Sequence, residues 1–328
     1  MIKMSLALVA AGLLSACGGL QHNNVTAPTT NVAFEGTPPA RTFRFTYDVK
    51  VPAKSATDDL QLWIPVPVST SEQEIANLTI DANRDYQIHD LEVGSGRSLH
   101  MSSTGKDLAV TVSFDVTRHA TSGGGTATAS ELADDLEADS MIPTGGKVTA
   151  MAAALDTSGT PVEVAHALYE HTRDRMRYDK PAGEAWGRGD AEWACDSRFG
   201  NCTDFHSYFM GLARTKGIPT RFVMGFPIPA KDSGETKVGG YHCWAYFYDE
   251  AEGWRPVDIS EADKHPEKAG FFFGNLDENR VEMIGGRDVL LNPTPKAGKL
   301  NLFIYPYLEV NGQESRELDK SFSIENLD

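Results

Sequence analysis

The chain has 328 residues and a formal net charge of −16, from 46 acidic against 30 basic side chains. A chain this acidic, with no cluster of Lys and Arg, is poorly suited to phosphate backbones, so nucleic acid is not expected as a partner. With an N-terminal signal and tether set aside, roughly 290 residues remain, enough for one large domain or two modest ones.

Met1 to Met4 carries one Lys, and the apolar run SLALVAAGLL that follows is too short for a lasting membrane span. This reads as a secretory signal over residues 1–16. Leu14-Ser15-Ala16-Cys17 resembles the bacterial lipobox, which implies cleavage before Cys17 and acylation of that residue. The alternative is an ordinary signal peptide that happens to contain a cysteine. Several acyl chains on one residue give stable anchoring where one chain would be marginal. Gly18, not Asp, follows the cysteine, and by resemblance to the Gram-negative sorting rule this implies the outer membrane, facing the periplasm. Residues 17–40 are then a lipidated tether: QHNNVTAPTTNVAFEGTPPA is polar and has almost nothing to bury.

Next comes a strand signal. In TFRFTYDVKV, Phe43, Phe45, Tyr47, Val49 and Val51 alternate with polar residues, the period of a strand with one buried face. DLAVTVSFDV repeats this with Leu108, Val110, Val112, Phe114 and Val116; between them lie Leu60, Leu62 and Ile64, with Pro65 and Pro67 expected to end the pairing. Strands joined by turns predict a small β-sandwich over 41–120. His89, His100 and His119 lie apart there, without partners at motif spacing, so packing or recognition is expected of this part rather than catalysis.

The Gly/Ser/Thr-rich run at 121–130 reads as a linker, and 131–328 as a second, α+β unit. Thr160-Pro161-Val162-Glu163 predicts a capped helix start, with Ala165, Leu168, Tyr169, Thr172 and Met176 as its buried stripe. In GNCTDFHSYFMGLARTKGIP, residues 200–219, Phe205, Tyr208, Phe209 and Leu212 recur at helical spacing, and Gly217 and Pro219 close the helix. Cys202 falls in its first turn. Unsatisfied amides there favour a negative charge and lower a thiol's pKa. YHCWAYFYDE and GWRPVDIS, separated by a short acidic turn, predict a hairpin with His242 on one face, Cys243 on the other, and Asp258 on the second strand beside His242.

Gly200-Asn201-Cys202-Thr203-Asp204, then LARTKGIPTRFVMGF, then His242-Cys243-Trp244, Trp254 and Asp258, resemble the core motifs of the transglutaminase-like superfamily. The resemblance covers about Thr160 to Ser260, and the wider sequence is similar to bacterial members described as candidate cysteine proteases. It implies a papain-like fold, in which a Cys-bearing helix packs on an antiparallel sheet carrying His and Asp. It assigns the nucleophile to Cys202, the base to His242 and the orienting group to Asp258. Ile259-Ser260 stand where the family often has Pro-Thr, which bears on the local turn. No calcium-loop signature accompanies the motifs, so neither metal nor cofactor is expected.

The implied chemistry is acyl transfer: thiolate attack on an amide carbonyl of a peptide or protein substrate in the envelope, with release of the thioester to water or to an amine. The Cys202 amide would supply one oxyanion donor, and Trp186 or Trp193 would be a second donor or a wall. Other readings stand beside this one. Cys202, His206 and His242 could hold zinc, although neither a CxxC pair nor HExxH is present. A catalytically idle scaffold or peptide-binding protein could keep the same residues, and transfer of the thioester to an amine would make a cross-linking transglutaminase. With Cys17 acylated, Cys195, Cys202 and Cys243 form an odd set; a Cys195–Cys243 disulfide behind the catalytic face and three free thiols are both open. Phe271, Phe272 and Phe273 read as core or substrate wall, and Arg280, Arg287 and Asp288 as ion-pairing residues.

Overall fold

The computed structural model describes residues 34, 36–234 and 236–328. The signal, Cys17 and the tether through residue 33 lie outside the described residues. Among the described residues, no helix is long and apolar enough to cross a membrane.

Seven strands come first: β1 (Ala40–Val51), β2 (Asp59–Val66), β3 (Gln73–Ala82), β4 (Tyr86–Asp90), β5 (Val93–Ser95), β6 (Arg97–Thr104) and β7 (Leu108–His119). In β1 every second residue from Phe43 to Val51 is buried, as the alternation requires. Pro65 does not end β2, which stays paired with β6 as far as Val66. Its other neighbour pairs no further than Trp63, so at Pro65 one side of the strand is open and a missing amide donor is tolerated.

The helical part follows: α1 (Ala129–Asp134), α2 (Gly146–Ala154), α3 (Pro161–Arg175), β8 (Arg177–Tyr178), α4 (Ala191–Ser197), β9 (Phe199–Gly200) and α5 (Cys202–Thr215). Thr160 and Glu163 form the expected capping box of α3, and the Ala165–Thr172 stripe is buried. α5 is buried on all sides from Cys202 to Ala213, the mark of a central helix, with α2, α3, α4 and the sheet packed around it. The remaining elements are β10 (Thr220–Pro227), β11 (His242–Asp249), β12 (Gly253–Val257), α6 (Ile259–Lys264), α7 (Ala269–Phe272), β13 (Arg280–Leu290), β14 (Tyr307–Val310), β15 (Gln313–Ser315) and β16 (Asp319–Asn326).

Three antiparallel sheets result, in the orders β16-β1-β7-β3, β15-β14-β2-β6-β4 and β12-β11-β10-β13-β5. The first two form the N-terminal sandwich and the third carries α5. The boundaries differ from a division into 41–120 and 131–328. The last three strands belong to the N-terminal sheets, and β5 belongs to the sheet under α5. The C-terminal exchange buries Leu308, Phe322 and Ile324, which would otherwise meet water. Phe322 of β16 lies 4.6 Å from Phe226 of β10 and 4.4 Å from Tyr47 of β1, ring centre to ring centre, so one core runs through both parts. The 121–130 segment is not a free linker either: Thr121 bridges to Leu276 and Gly124 to Trp254. Gly123 adopts φ +82°, and a side chain there would strike the Trp254 carbonyl.

Candidate active site

Asn201 caps α5 by accepting from the Thr203 amide at 2.9 Å, and Asp204 accepts from the Asn201 amide at 3.0 Å. This capping box places Cys202 as the first residue of the helix, where its N–H has no acceptor within the helix. Asp204 also accepts from Gly187 at 2.6 Å and Gly189 at 3.0 Å, pinning the preceding loop to the helix mouth. Gly189 sits at φ +63°, where a Cβ would collide with Thr203, Ser207 and Arg287.

β11 begins at His242, paired with Gly225 of β10. The His242 Nε2 lies 2.7 Å from Asp258 Oδ2, which leaves Nδ1 for the thiol side of the ring. Asp258 stands one residue beyond β12 and is the N-cap of α6, rather than a strand residue. Ile259-Ser260 here begin that helix. Asp258 Oδ1 accepts from the Glu261 amide at 3.1 Å and contacts Ser260 Oγ at 3.2 Å, so Oδ2 is left to face His242. Cys202 is 2 % exposed, His242 5 % and Asp258 0 %.

Burial alone would lower the imidazole's pKa, but the Asp258 carboxylate and Cys202 raise that of His242 to about 10. Burial likewise opposes ionisation of Cys202, yet hydrogen bonding from Cys243 and His242, with the charge of His242, holds the thiol well below its ordinary value. Asp258 lies well below the usual carboxylate range: its burial is outweighed by His242 and Arg280. These shifts run in the direction of a thiolate–imidazolium pair over an ionised carboxylate.

Three neighbours meet the site through contacts the sequence does not specify: Arg280, read there as ion-pairing, His206, weighed as a zinc ligand, and Cys243, weighed as a disulfide partner. Arg280, buried in β13, donates from Nη1 to the same Asp258 Oδ2 at 3.0 Å and from Nε to Asp277 at 3.3 Å. Its guanidinium carbon lies 5.0 Å from the centre of the Trp244 ring. His206 accepts at Nε2 from the Ile259 amide at 3.1 Å, so its proton is on Nδ1, which donates to the Cys202 carbonyl at 2.7 Å. Both ring nitrogens are thus engaged, which removes His206 from the zinc set; the ring instead joins the start of α5 to the start of α6. Cys243 faces α5, and its thiol donates to Cys202 Sγ at 3.2 Å. Alternation places Cys243 opposite His242, and Arg280 forms the ion pairs expected of it, but which groups these residues and His206 meet depends on turns between distant segments.

The remaining residues singled out in the sequence fall as follows. Cys195, Cys202 and Cys243 are free thiols. Cys243 cannot reach Cys195 because its sulfur is turned onto Cys202, whereas Cys195 in α4 meets Tyr208. The Trp186 indole N–H donates to the Pro181 carbonyl at 2.9 Å, so it is committed elsewhere than an oxyanion. Trp193 stacks edge-on with Phe199 at 5.3 Å, on the α4 side. Tyr241, immediately before His242, instead reaches the helix mouth, with its hydroxyl 2.8 Å from both Asn201 Nδ2 and Thr203 Oγ1. Phe272 and Phe273 are core residues, Phe273 packing 5.5 Å from Phe247. Arg287 is buried on Ser207, Gly189 and Asn301 oxygens, and Asp288 holds Ser140.

A cysteine opening a buried helix, packed on an antiparallel sheet that begins with histidine, defines a transglutaminase-like core of the papain-like kind. Residues 149–259, which span Cys202, His242 and Asp258, match the transglutaminase-like superfamily, so the chain carries a domain of that type. A Haemophilus influenzae protein described as uncharacterized is 27 % identical over 361 residues, covering 95 % of this chain and 96 % of its own. The crystal structure of a candidate cysteine protease from Cytophaga hutchinsonii superposes with a TM-score of 0.62 at 13 % identity, covering 88 % of this chain and 92 % of that one. The periplasmic domain of TgpA from Pseudomonas aeruginosa gives a TM-score of 0.41 at 18 % identity, covering 71 % and 78 %.

Proposed function

We propose that the protein is a cysteine-dependent acyl-transfer enzyme of the cell envelope that hydrolyses a peptide or amide bond. The observation that carries this reading is the buried line from the Cys202 thiol through His242 to Asp258, with its 2.7 Å Nε2–Oδ2 contact. The description of the Cytophaga hutchinsonii structure as a candidate cysteine protease supports the same class.

In this reading the Cys202 thiolate attacks the carbonyl carbon, and its own backbone N–H receives the developing oxyanion. The C–N bond breaks as His242 gives its Nδ1 proton to the departing amine, leaving a thioester on Cys202. Water then attacks, with neutral His242 taking its proton, and the acid and the thiolate–imidazolium pair are released. Asp258 stays ionised throughout and fixes the ring. Hydrolysis is preferred to transfer onto an amine because water is the abundant acceptor in the envelope. The envelope assignment rests on the Leu14–Cys17 pattern, with Cys17 acylated and the membrane reached through that anchor.

The experiment is labelling of envelope extract with an electrophilic thiol probe, alongside mass-spectrometric capture of the acyl-enzyme. Wild type should label at Cys202 and Cys202→Ala should not. A wild-type protein that neither labels nor acylates would leave an idle scaffold. For the anchor, Cys17→Ser should shift the protein from the detergent phase to the aqueous phase; unchanged partitioning would refute acylation.

A further inference from the structure

The alternation that gives His242 to one face of β11 gives Cys243 to the face under α5. Its Sγ lies 3.2 Å from Cys202 Sγ, and both residues are buried, free thiols. The Cys243 side chain is also held from behind. Thr203 Oγ1 contacts its sulfur at 3.2 Å and the Tyr241 hydroxyl at 2.8 Å. A disulfide has an S–S distance near 2.0 Å, so about 1 Å of approach separates this pair from a covalent bond. Cys195, committed to Tyr208, is outside this cluster.

The two thiols are also unlike. Burial and the neighbouring Cys202 push Cys243 well above the ordinary thiol value, so it stays protonated next to a thiolate. An attacking thiolate with a protonated thiol in contact is the arrangement of a reactive cysteine and its resolving partner.

We propose that Cys202 and Cys243 form a peroxide-modified dithiol site, in which a Cys202–Cys243 disulfide reversibly caps the nucleophile. This rests on the reading of Cys202 as a reactive thiolate. The oxidant is hydrogen peroxide, a molecule small enough to enter wherever a substrate carbonyl can. The thiolate attacks one peroxide oxygen; an S–O bond forms, the O–O bond breaks, and the departing hydroxide takes the His242 proton to leave as water. Cys243 sulfur then attacks the Cys202 sulfenic acid, forming the S–S bond; the S–O bond breaks, and hydroxide leaves with the Cys243 proton as a second water. Two electrons pass from the sulfurs to peroxide. A small dithiol reverses the bond by exchange and is itself oxidised to a disulfide. The cap matters because an unpartnered sulfenic acid proceeds under further peroxide to sulfinic acid, which a thiol cannot reverse.

The test uses the full chain, purified reduced, then treated with hydrogen peroxide. Non-reducing peptide mapping should recover Cys202 linked to Cys243 with Cys195 unlinked. Iodoacetamide labelling of Cys202 should be lost and then regained with dithiothreitol. In Cys243→Ser and Cys243→Ala, the same treatment should leave sulfinic acid on Cys202, and dithiothreitol should regain little labelling. Wild type in which Cys202 is overoxidised while Cys243 stays a thiol overturns the proposal, as does wild type in which peroxide leaves Cys202 labelling unchanged. Failure of the reduced protein to label at Cys202 or to form an acyl-enzyme counts against the enzymatic reading instead, and the peptide map still decides whether the bond forms.

Discussion

His242 and Arg280 share one oxygen: Nε2 of the first lies 2.7 Å and Nη1 of the second 3.0 Å from Asp258 Oδ2. Asp258 therefore answers to a permanent cation as well as to the imidazole, and the lowering of its pKa has both sources once burial is overcome. Arg280→Met removes that cation and leaves Asp258 and Asp277 facing a vacated, dry position. Breaking a buried pair from one side costs about 3–5 kcal/mol, and this loss should appear in denaturant unfolding. Asp258 would then serve His242 alone, so the alkaline limit of the thiolate–imidazolium pair should move upward. Arg280→Lys keeps the charge without the forked reach and should lose less stability. Unfolding of Arg280→Met within about 1 kcal/mol of wild type would mean that the contact contributes little.

His206 ties the Cys202 carbonyl to the Ile259 amide, and so fixes the start of α5 relative to the residue after Asp258. His206→Leu leaves the buried Ile259 N–H without an acceptor, worth about 1–3 kcal/mol. If the ring only fills space, His206→Leu and His206→Gln should behave alike. If it positions the site, Gln, which also offers an acceptor and a donor, should restore part of the Cys202 alkylation rate, and the loss in Leu should fall on kcat rather than KM.

Local rules made several elements legible. The alternation of β1 and β7, the capping box of α3, the Cys-bearing α5 and the β11–β12 hairpin all follow from spacing within single segments. The transglutaminase-like core was legible because its motifs lie on those same segments. What escaped the sequence was closure between distant ones. Nothing within DKSFSIEN says that Phe322 completes the sheet begun by Phe43–Val51. Likewise, strand alternation gives a residue's face but not what packs there, so Cys243 could be turned from His242 without its contact with Cys202 being foreseen. The surroundings of Asp258 were hidden for a related reason, since its cap role depends on a helix too short to show periodicity.

The exchanged C-terminal strands predict unfolding as one unit. Phe322 packs at 4.6 Å on Phe226 of the sheet under α5 and at 4.4 Å on Tyr47 of the sandwich. Phe322→Ala should therefore cost about 3–5 kcal/mol, the usual range for a buried Phe. Cys202 alkylation under partial denaturation should track the loss of sandwich structure in this variant. Two separated transitions in calorimetry, with only one moved by the substitution, would show that the parts unfold independently.

The Cys202 thiol makes the most direct prediction, because two groups set its window from opposite sides. His242 has its pKa raised from 6.5 to about 10, so its ion-pair contribution to stability is complete below about pH 6.5 and is lost as pH rises through about 10. Cys202 is lowered, so the thiolate's contribution is present above the ordinary thiol value and is lost as pH falls through the lower, folded one. Between these limits the pair is charged, and Cys202 should alkylate readily at mildly acidic pH, where an ordinary thiol of pKa about 8.5 is nearly inert. His242→Ala removes the cation but leaves the helix amides and Cys243, so the profile should move part of the way toward the ordinary value. Asp258→Asn keeps the size of the side chain while withdrawing the charge that supports imidazolium. It should move the thiol less than His242→Ala does, and depress turnover more than labelling. The measurement is the pH dependence of Cys202 alkylation by mass spectrometry in the three proteins. A wild-type curve centred near the ordinary thiol value, and unmoved by either substitution, would return Cys202 to the rank of a packing residue.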